Sequence, residues 1–163
     1  MTNRIGWGRL IGSGLAAGVL INASEWAAHR LWLHQAWADA FATLGKTPTG
    51  WGTFIPANFI LGIIAVWLYR WLSGRYPAGF STAWRTGLCV WVIFWVIPTL
   101  ALLPLDLFPN RLLGLTILIG LVDGVLATVL GAWLFEGMTW PAAVLATTGA
   151  FRHSGRRQRI EGP

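Results

Sequence analysis

Charge is scarce in this sequence. Charged residues make up only 11% of its 163 positions and hydrophobic residues 55%, whereas water-soluble domains carry roughly a quarter charged. That balance excludes a water-soluble domain. Cysteine is nearly missing as well. Cys89 stands alone, which excludes an intramolecular disulfide, a CxxC redox pair, a cysteine metal cage and quinone-linked thiol chemistry. His29 and His34 are five apart, rotated by about 140° on a helix, so they do not share a face. His153 lies in the C-terminal tail, HExxH is absent, and the second to fourth apolar runs contain no histidine. No metal site, haem or other cofactor is therefore expected. Ser13 and Ser24 have no GxSxG turn around them, which leaves serine hydrolysis without its usual frame. The net charge of +6 sits beside apolar runs and at the C-terminus, where orientation and anionic lipid account for it. Nucleic acid is not an expected partner.

What the sequence does have is four long apolar runs, at about 7–28, 54–72, 84–103 and 112–135. Each matches the roughly 20 residues a helix needs to cross a hydrocarbon layer about 30 Å thick. They fill one domain, 1–137, and predict an all-α integral membrane four-helix bundle. Arg4 and Arg9 precede a first run that is too long for a signal peptide and has no A-x-A site, so it reads as a retained helix. Between the first two runs, Leu33, Trp37, Phe41 and Leu44 recur at helical spacing and stop at Gly45. That stretch is too short to cross and predicts a short extracytoplasmic amphipathic surface helix, with Trp32 and Trp37 at headgroup depth. Pro98 deprives the Phe94 carbonyl of its partner and predicts a kink in the third run. Residues 138–163 predict an interfacial segment followed by a basic, disordered cytoplasmic tail. Nine of the twelve basic residues fall at the N-terminus, in the middle loop (Arg70, Arg75, Arg85) and in the tail; only Arg30, Lys46 and Arg111 fall on the other side. Both termini are thus expected inside.

Polar residues within the runs carry the functional reading. Asp123 is the one ionisable residue in 112–135, roughly 16 to 18 Å from either end. A lone carboxylate there costs at least about 2.5 to 3.5 kcal/mol, so it must be neutral, paired or facing a wet cavity. Asn22, Glu25 and His29 share neighbouring parts of one face of the first run. Gly14 and Gly18 form a small-residue row on that run, and Gly120 and Gly124 form another on the fourth. These rows predict that the first and fourth helices touch through them. Asn22 would then lie about 6 Å outward of Asp123, within reach of a hydrogen bond. Glu25, His29, Asn58 and Thr116 follow further out, sketching a polar pocket open to the outside. One reading is a binding or proton-relay site in which Asp123 titrates and Asn22 and Glu25 shape it. The competing readings are a structural polar clasp that fixes helix register, and a Glu25 that simply emerges among headgroups. Trp91 and Trp95, four apart in the third run, either pack in the core or line a cavity.

The strings LINASEW at Leu20 to Trp26, ILGIIAVWLYRWL at Ile60 to Leu72, LFPNRLLGL at Leu107 to Leu115 and GAWLFEG at Gly131 to Gly137 resemble a group of small uncharacterised bacterial inner-membrane proteins. The resemblance covers most of residues 5–137. It implies four transmembrane helices and a bacterial cytoplasmic membrane, and carries no assigned activity or catalytic residue. The leading expectation is small-solute or ion/proton-coupled transport or binding through the pocket around Asp123. The alternative is a non-catalytic accessory subunit packed against other membrane proteins, and an intramembrane enzyme using Glu25 and His29 ranks third. The lipid bilayer is the expected partner, with a homo-oligomer or a second membrane protein beside it. Single cysteines at Lys46 and Ser73, with Cys89 removed, are expected to react with an impermeant maleimide from outside and inside respectively; the opposite pattern overturns the orientation.

Overall fold

In the computed structural model, which describes residues 6–47 and 49–138, all regular structure is helical. Arg4 and the expected interfacial segment and tail from Thr139 onward lie outside the described residues. Helix α1 (Trp7–Ala28) passes through a π turn, His29–Leu33, directly into α2 (His34–Thr43), so 7–43 is helical without a break. No glycine or proline stands between Gly18 and Gly45, and nothing else would stop the helix. At Gly45 it does stop. Gly45 takes φ 65°, its N–H bonds the Ala42 carbonyl, and the Lys46 N–H bonds that of Phe41, which is a Schellman ending.

The expected surface helix is therefore a continuation of the first helix. It does not stand apart from the other helices either. Leu33 and Ala40 are buried with Leu112, and Phe108 stacks edge-on against Trp37 and Phe41, with ring centroids 5.2 and 5.7 Å apart. Burying these apolar positions against the start of the last helix outweighs laying them on a surface.

Three further helices complete the described chain. Helix α3 is Phe54–Leu72; α4 (Phe80–Trp91), a second π turn (Val92–Val96) and α5 (Ile97–Leu102) form one continuous rod to Leu105; and α6 is Asn110–Phe135. The disturbance expected at Pro98 takes the form of that π turn, in which the Ile97 N–H bonds the Val92 carbonyl five residues back. Helix α3, the rod Phe80–Leu105 and α6 are each long and apolar enough to cross a membrane. Helix α1 has the length, at 22 residues, but its glycine, serine, asparagine and glutamate content leaves it outside that group.

Glycine decides how the helices meet, and the pairing differs from the one expected. A Cβ on Gly14 would strike the Ile63 backbone, one on Gly18 the Phe59 backbone, and one on Gly62 the backbones of Gly14 and Gly18. The Gly14/Gly18 row therefore faces α3, because Gly62 offers a reciprocal hollow there. Gly120 and Gly124 instead face the third rod, where a Cβ on Gly120 would overlap the Trp95 indole and one on Gly124 would press on Trp91. The Trp91 indole N–H donates to the Ile117 carbonyl at 2.8 Å across the same seam. Helices α1 and α6 do touch, but through Gly131, which meets Ala17 and the Ser13 carbonyl.

These contacts also fix the depths. Val66 lies against Gly131 and the Tyr69 hydroxyl meets Glu136 at 3.3 Å, so α3 and α6 run parallel. Phe54, the first residue of α3, is accordingly level with about Ile119, roughly 13 Å short of where α6 begins. Among the described residues, only the continuous first helix and the third rod flank the N-terminal part of α6. A Gly62→Ala substitution should destabilise the protein by about 1 to 3 kcal/mol. Gly114→Ala, where nothing lies within 4 Å, should be neutral or stabilising by up to about 1 kcal/mol. Thermal unfolding of the two variants in detergent checks this; equal effects would mean that α1 and α3 do not meet at Gly62.

Candidate functional site

Asp123 lies on the inward face of α6 with Gly120, Gly124 and Ala127. It is 2% exposed, and neither carboxyl oxygen has a hydrogen-bond partner. Neighbouring buried hydroxyls solve the same problem within their own helices. Ser13 donates to the Arg9 carbonyl at 2.5 Å, Thr86 to Thr82 at 2.7 Å and Thr128 to Gly124 at 2.6 Å. An ionised carboxylate cannot follow them, because it only accepts, and the helix interior has already committed its N–H groups. Ser24 stands beside Asp123, yet its hydroxyl donates to the carbonyls of Leu20 and Ile21 at 2.9 and 3.1 Å.

Asn22 is not the partner that its spacing suggested. It sits four residues beyond Gly18 on the row that faces α3, so its amide is drawn there. Its Nδ2 donates to the Gly18 and Ile55 carbonyls at 2.9 and 3.3 Å, and its oxygen accepts from Asn58 at 3.2 Å. The first helix is also displaced along α6, so that Ser24 rather than a residue deeper in α1 comes level with Asp123. Glu25 thereby moves inward from the expected outer third and stands close enough to Asp123 for the two carboxyls to interact electrostatically. It thus stands about one turn from Asp123, near the middle of α6.

The space beside the short α3 forms a cavity of about 440 Å³. The first helix contributes Glu25, His29, Leu33 and Trp37, α3 contributes Phe54, Asn58 and Leu61, the third rod Phe94 and Trp95, and α6 Thr116 and Ile119. A second hollow of about 410 Å³ holds Asn22, Arg30 and His34, and shares Glu25, His29, Phe54 and Asn58 with the first. The structure thus gathers Glu25, His29, Asn58 and Thr116 around one cavity and leaves Asn22 in the adjoining one. Asp123 lines neither and lies one helical turn below Ile119. Glu25 reaches across: its carboxyl is 3.8 Å from His29 Nε2, beyond hydrogen-bond length, and comes within reach of the Trp95 indole N–H. Among the described residues no three His, Cys, Asp or Glu side chains converge as a metal cage would require.

Two features here were not read from the sequence. Both π turns border the cavity, the first through His29 and Leu33 and the second through Phe94 and Trp95, and such turns concentrate at functional sites. The pairing of Asn22 with Asn58 did have a sequence signal, because Gly18-x-x-x-Asn22 and Asn58-x-x-x-Gly62 are mirror images that match when two helices run antiparallel. No protein-family model matches the chain, and neither a curated protein nor a solved structure is found similar to it. Because the Asp123 carboxyl is buried without a bond, replacing it with an apolar side chain should stabilise the fold. Asp123→Val is expected to raise stability by about 1 to 3 kcal/mol, measured by thermal unfolding in detergent; a loss of that size would reveal a partner holding the carboxyl.

Proposed function

We propose that the chain is an integral membrane protein whose four helices cross a bacterial cytoplasmic membrane as an up-and-down bundle with both termini inside. We propose further that its cavity binds a small solute or ion in exchange for a proton held at Asp123 and Glu25. The distribution of side chains supports the membrane reading. On α1 the exposed stripe is Trp7, Ile11, Leu15, Val19 and Trp26, while Ser13, Gly14, Ala17 and Gly18 are buried. A helix that is apolar outside and small or polar inside suits lipid as its solvent, and this lets α1 cross despite its modest apolarity. The loop after α3 carries Arg75, stacked 4.0 Å over the Trp71 ring, between Arg70 and Arg85. It therefore belongs on the basic, cytoplasmic side, with α2 and the Phe108 connection opposite.

One observation carries the functional half: a fully buried carboxyl in mid-helix with no bond to either oxygen. A structural clasp would offset the cost of burial with a hydrogen bond across the helices. Beside Asp123 stands only the Ser24 hydroxyl, which bonds its own helix, and a proton that comes and goes accounts for the buried carboxyl better than a clasp. Glu25, one step away on the cavity wall, supplies the path outward, and His29 stands next to it.

The test is infrared difference spectroscopy of the protein in lipid across a pH step. A protonated-carboxyl band is expected to change with pH in the wild type and to lose its Asp123 component in Asp123→Asn, the Glu25 component remaining, with the helical content of both proteins unaltered. Should the wild-type and Asp123→Asn spectra respond to the pH step identically, proton coupling at Asp123 fails and the accessory-subunit reading takes its place.

A further inference from the structure

The walls of the larger cavity define what it can hold, given that it is a binding site as proposed above. Its titratable side chains are Glu25 and His29, and it presents no lysine or arginine. Arg30 and His34 open onto the adjoining hollow instead, and Asp123 adds a second carboxyl from α6 within electrostatic reach of Glu25. Helix α3 and the third rod bring no charged group to the walls. The acidic side of the balance therefore dominates. Most of the remaining surface is apolar, and four of its members are aromatic: Trp37, Phe54, Phe94 and Trp95.

A carboxylate beside aromatic faces in a pocket of some 440 Å³ matches one ligand chemistry. An anion would meet Glu25 with no basic residue to offset it, and a bare metal ion would leave the aromatic walls unused. A neutral apolar solute would leave the carboxyls with nothing to answer them. We propose that the cavity binds a small organic cation with an apolar body, its ammonium seated at Glu25 and its body against the aromatic rings of Phe54 and Phe94. The arrangement explains why Trp95 needs Gly120. A Cβ at Gly120 would overlap the indole, so the glycine admits Trp95 to the place where it stands next to Glu25. Asn58 holds the α3 side of the cavity mouth through its bond to Asn22.

The probe is benzyltrimethylammonium, titrated by calorimetry into the full-length protein in a maltoside detergent free of choline headgroups. Its carbon isostere neopentylbenzene has the same shape without the charge. Saturable binding of the cation is expected, with the isostere weaker by about tenfold or more. Glu25→Gln should weaken the cation to a similar degree, and Ile64→Trp, which fills the cavity without altering a charge, should abolish binding. Equal affinity for cation and isostere overturns the proposal in favour of an apolar cavity. Cation binding that survives both variants places it elsewhere and overturns the site. If the cation does not bind while the pH-dependent carboxyl band persists, the cation proposal falls and the proton-coupled reading stands; loss of both removes the two together. Should Glu25→Gln fail to fold, the isostere comparison on the wild type and the Ile64→Trp variant decide alone.

Discussion

The close approach of α1 and α3 at Gly14, Gly18 and Gly62 is the constraint on which the other features depend. With backbone against backbone at three points, the two helices have one register available, since sliding either by a residue drives a side chain into the other's main chain. That register sets α3 well inward of the start of α6. The end of the bundle where α6 begins then has too few helices to fill it, and the first helix, which ends at Gly45, continues past α3 to cover Leu112 and Phe108. A cavity remains where a full-length α3 would have stood. It results from the length of one helix and the placement of three glycines.

The polar groups sort themselves by the same geometry. Those on the glycine face of α1 are taken up by α3, as the Asn22 to Asn58 bond shows. The face turned toward α6 and the third rod carries Ser24 and Glu25, and these meet Asp123 and Trp95. Ser24 bonds the backbone of its own helix, and its hydroxyl is the one donor beside the carboxyl of Asp123. At the other end the Tyr69 hydroxyl accepts from the Gly79 N–H at 3.0 Å and meets Glu136, tying α3, the basic loop and the end of α6 together. The molecule is thus bonded tightly at one end and open at the other.

Much of the helical framework was legible because apolar runs bounded by Gly, Pro and polar turns leave little choice; Pro109 before Asn110 and Gly137 after Phe135 are such limits. The polar side chains Glu25, His29, Asn58 and Thr116 that line the cavity were also legible, since each was the polar member of an apolar helix near the same end. Three things were not. A glycine row declares that something comes close without declaring what, so Gly14 and Gly18 were matched to Gly120 and Gly124 when Gly62 and the tryptophan rings were the true counterparts. Relative depth is not written in apolar runs, whose lengths leave helices free to slide, and packing brings Ser24 rather than a residue deeper in α1 level with Asp123. The π turns have no local sequence signature, apart from the proline just beyond the second.

The two π turns bear on how such a site could work. Each inserts a residue into a helix that borders the cavity and rotates the remainder of that helix, affecting His29 through Leu33 on one wall and Phe94 with Trp95 on the other. A π turn is held by longer-range bonds than an α-helix, such as Ile97 to Val92, and relaxing one to α geometry changes the facing of every later residue by about 100°. Helix α3 and α6, which bring Asn58 and Thr116 to the cavity, contain no such turn. Opening and closing would then be a matter of the first helix and the third rod adjusting against α3 and α6. The groups so adjusted include Glu25's neighbours His29 and Trp95, which are the contacts that a ligand or proton at Glu25 would alter.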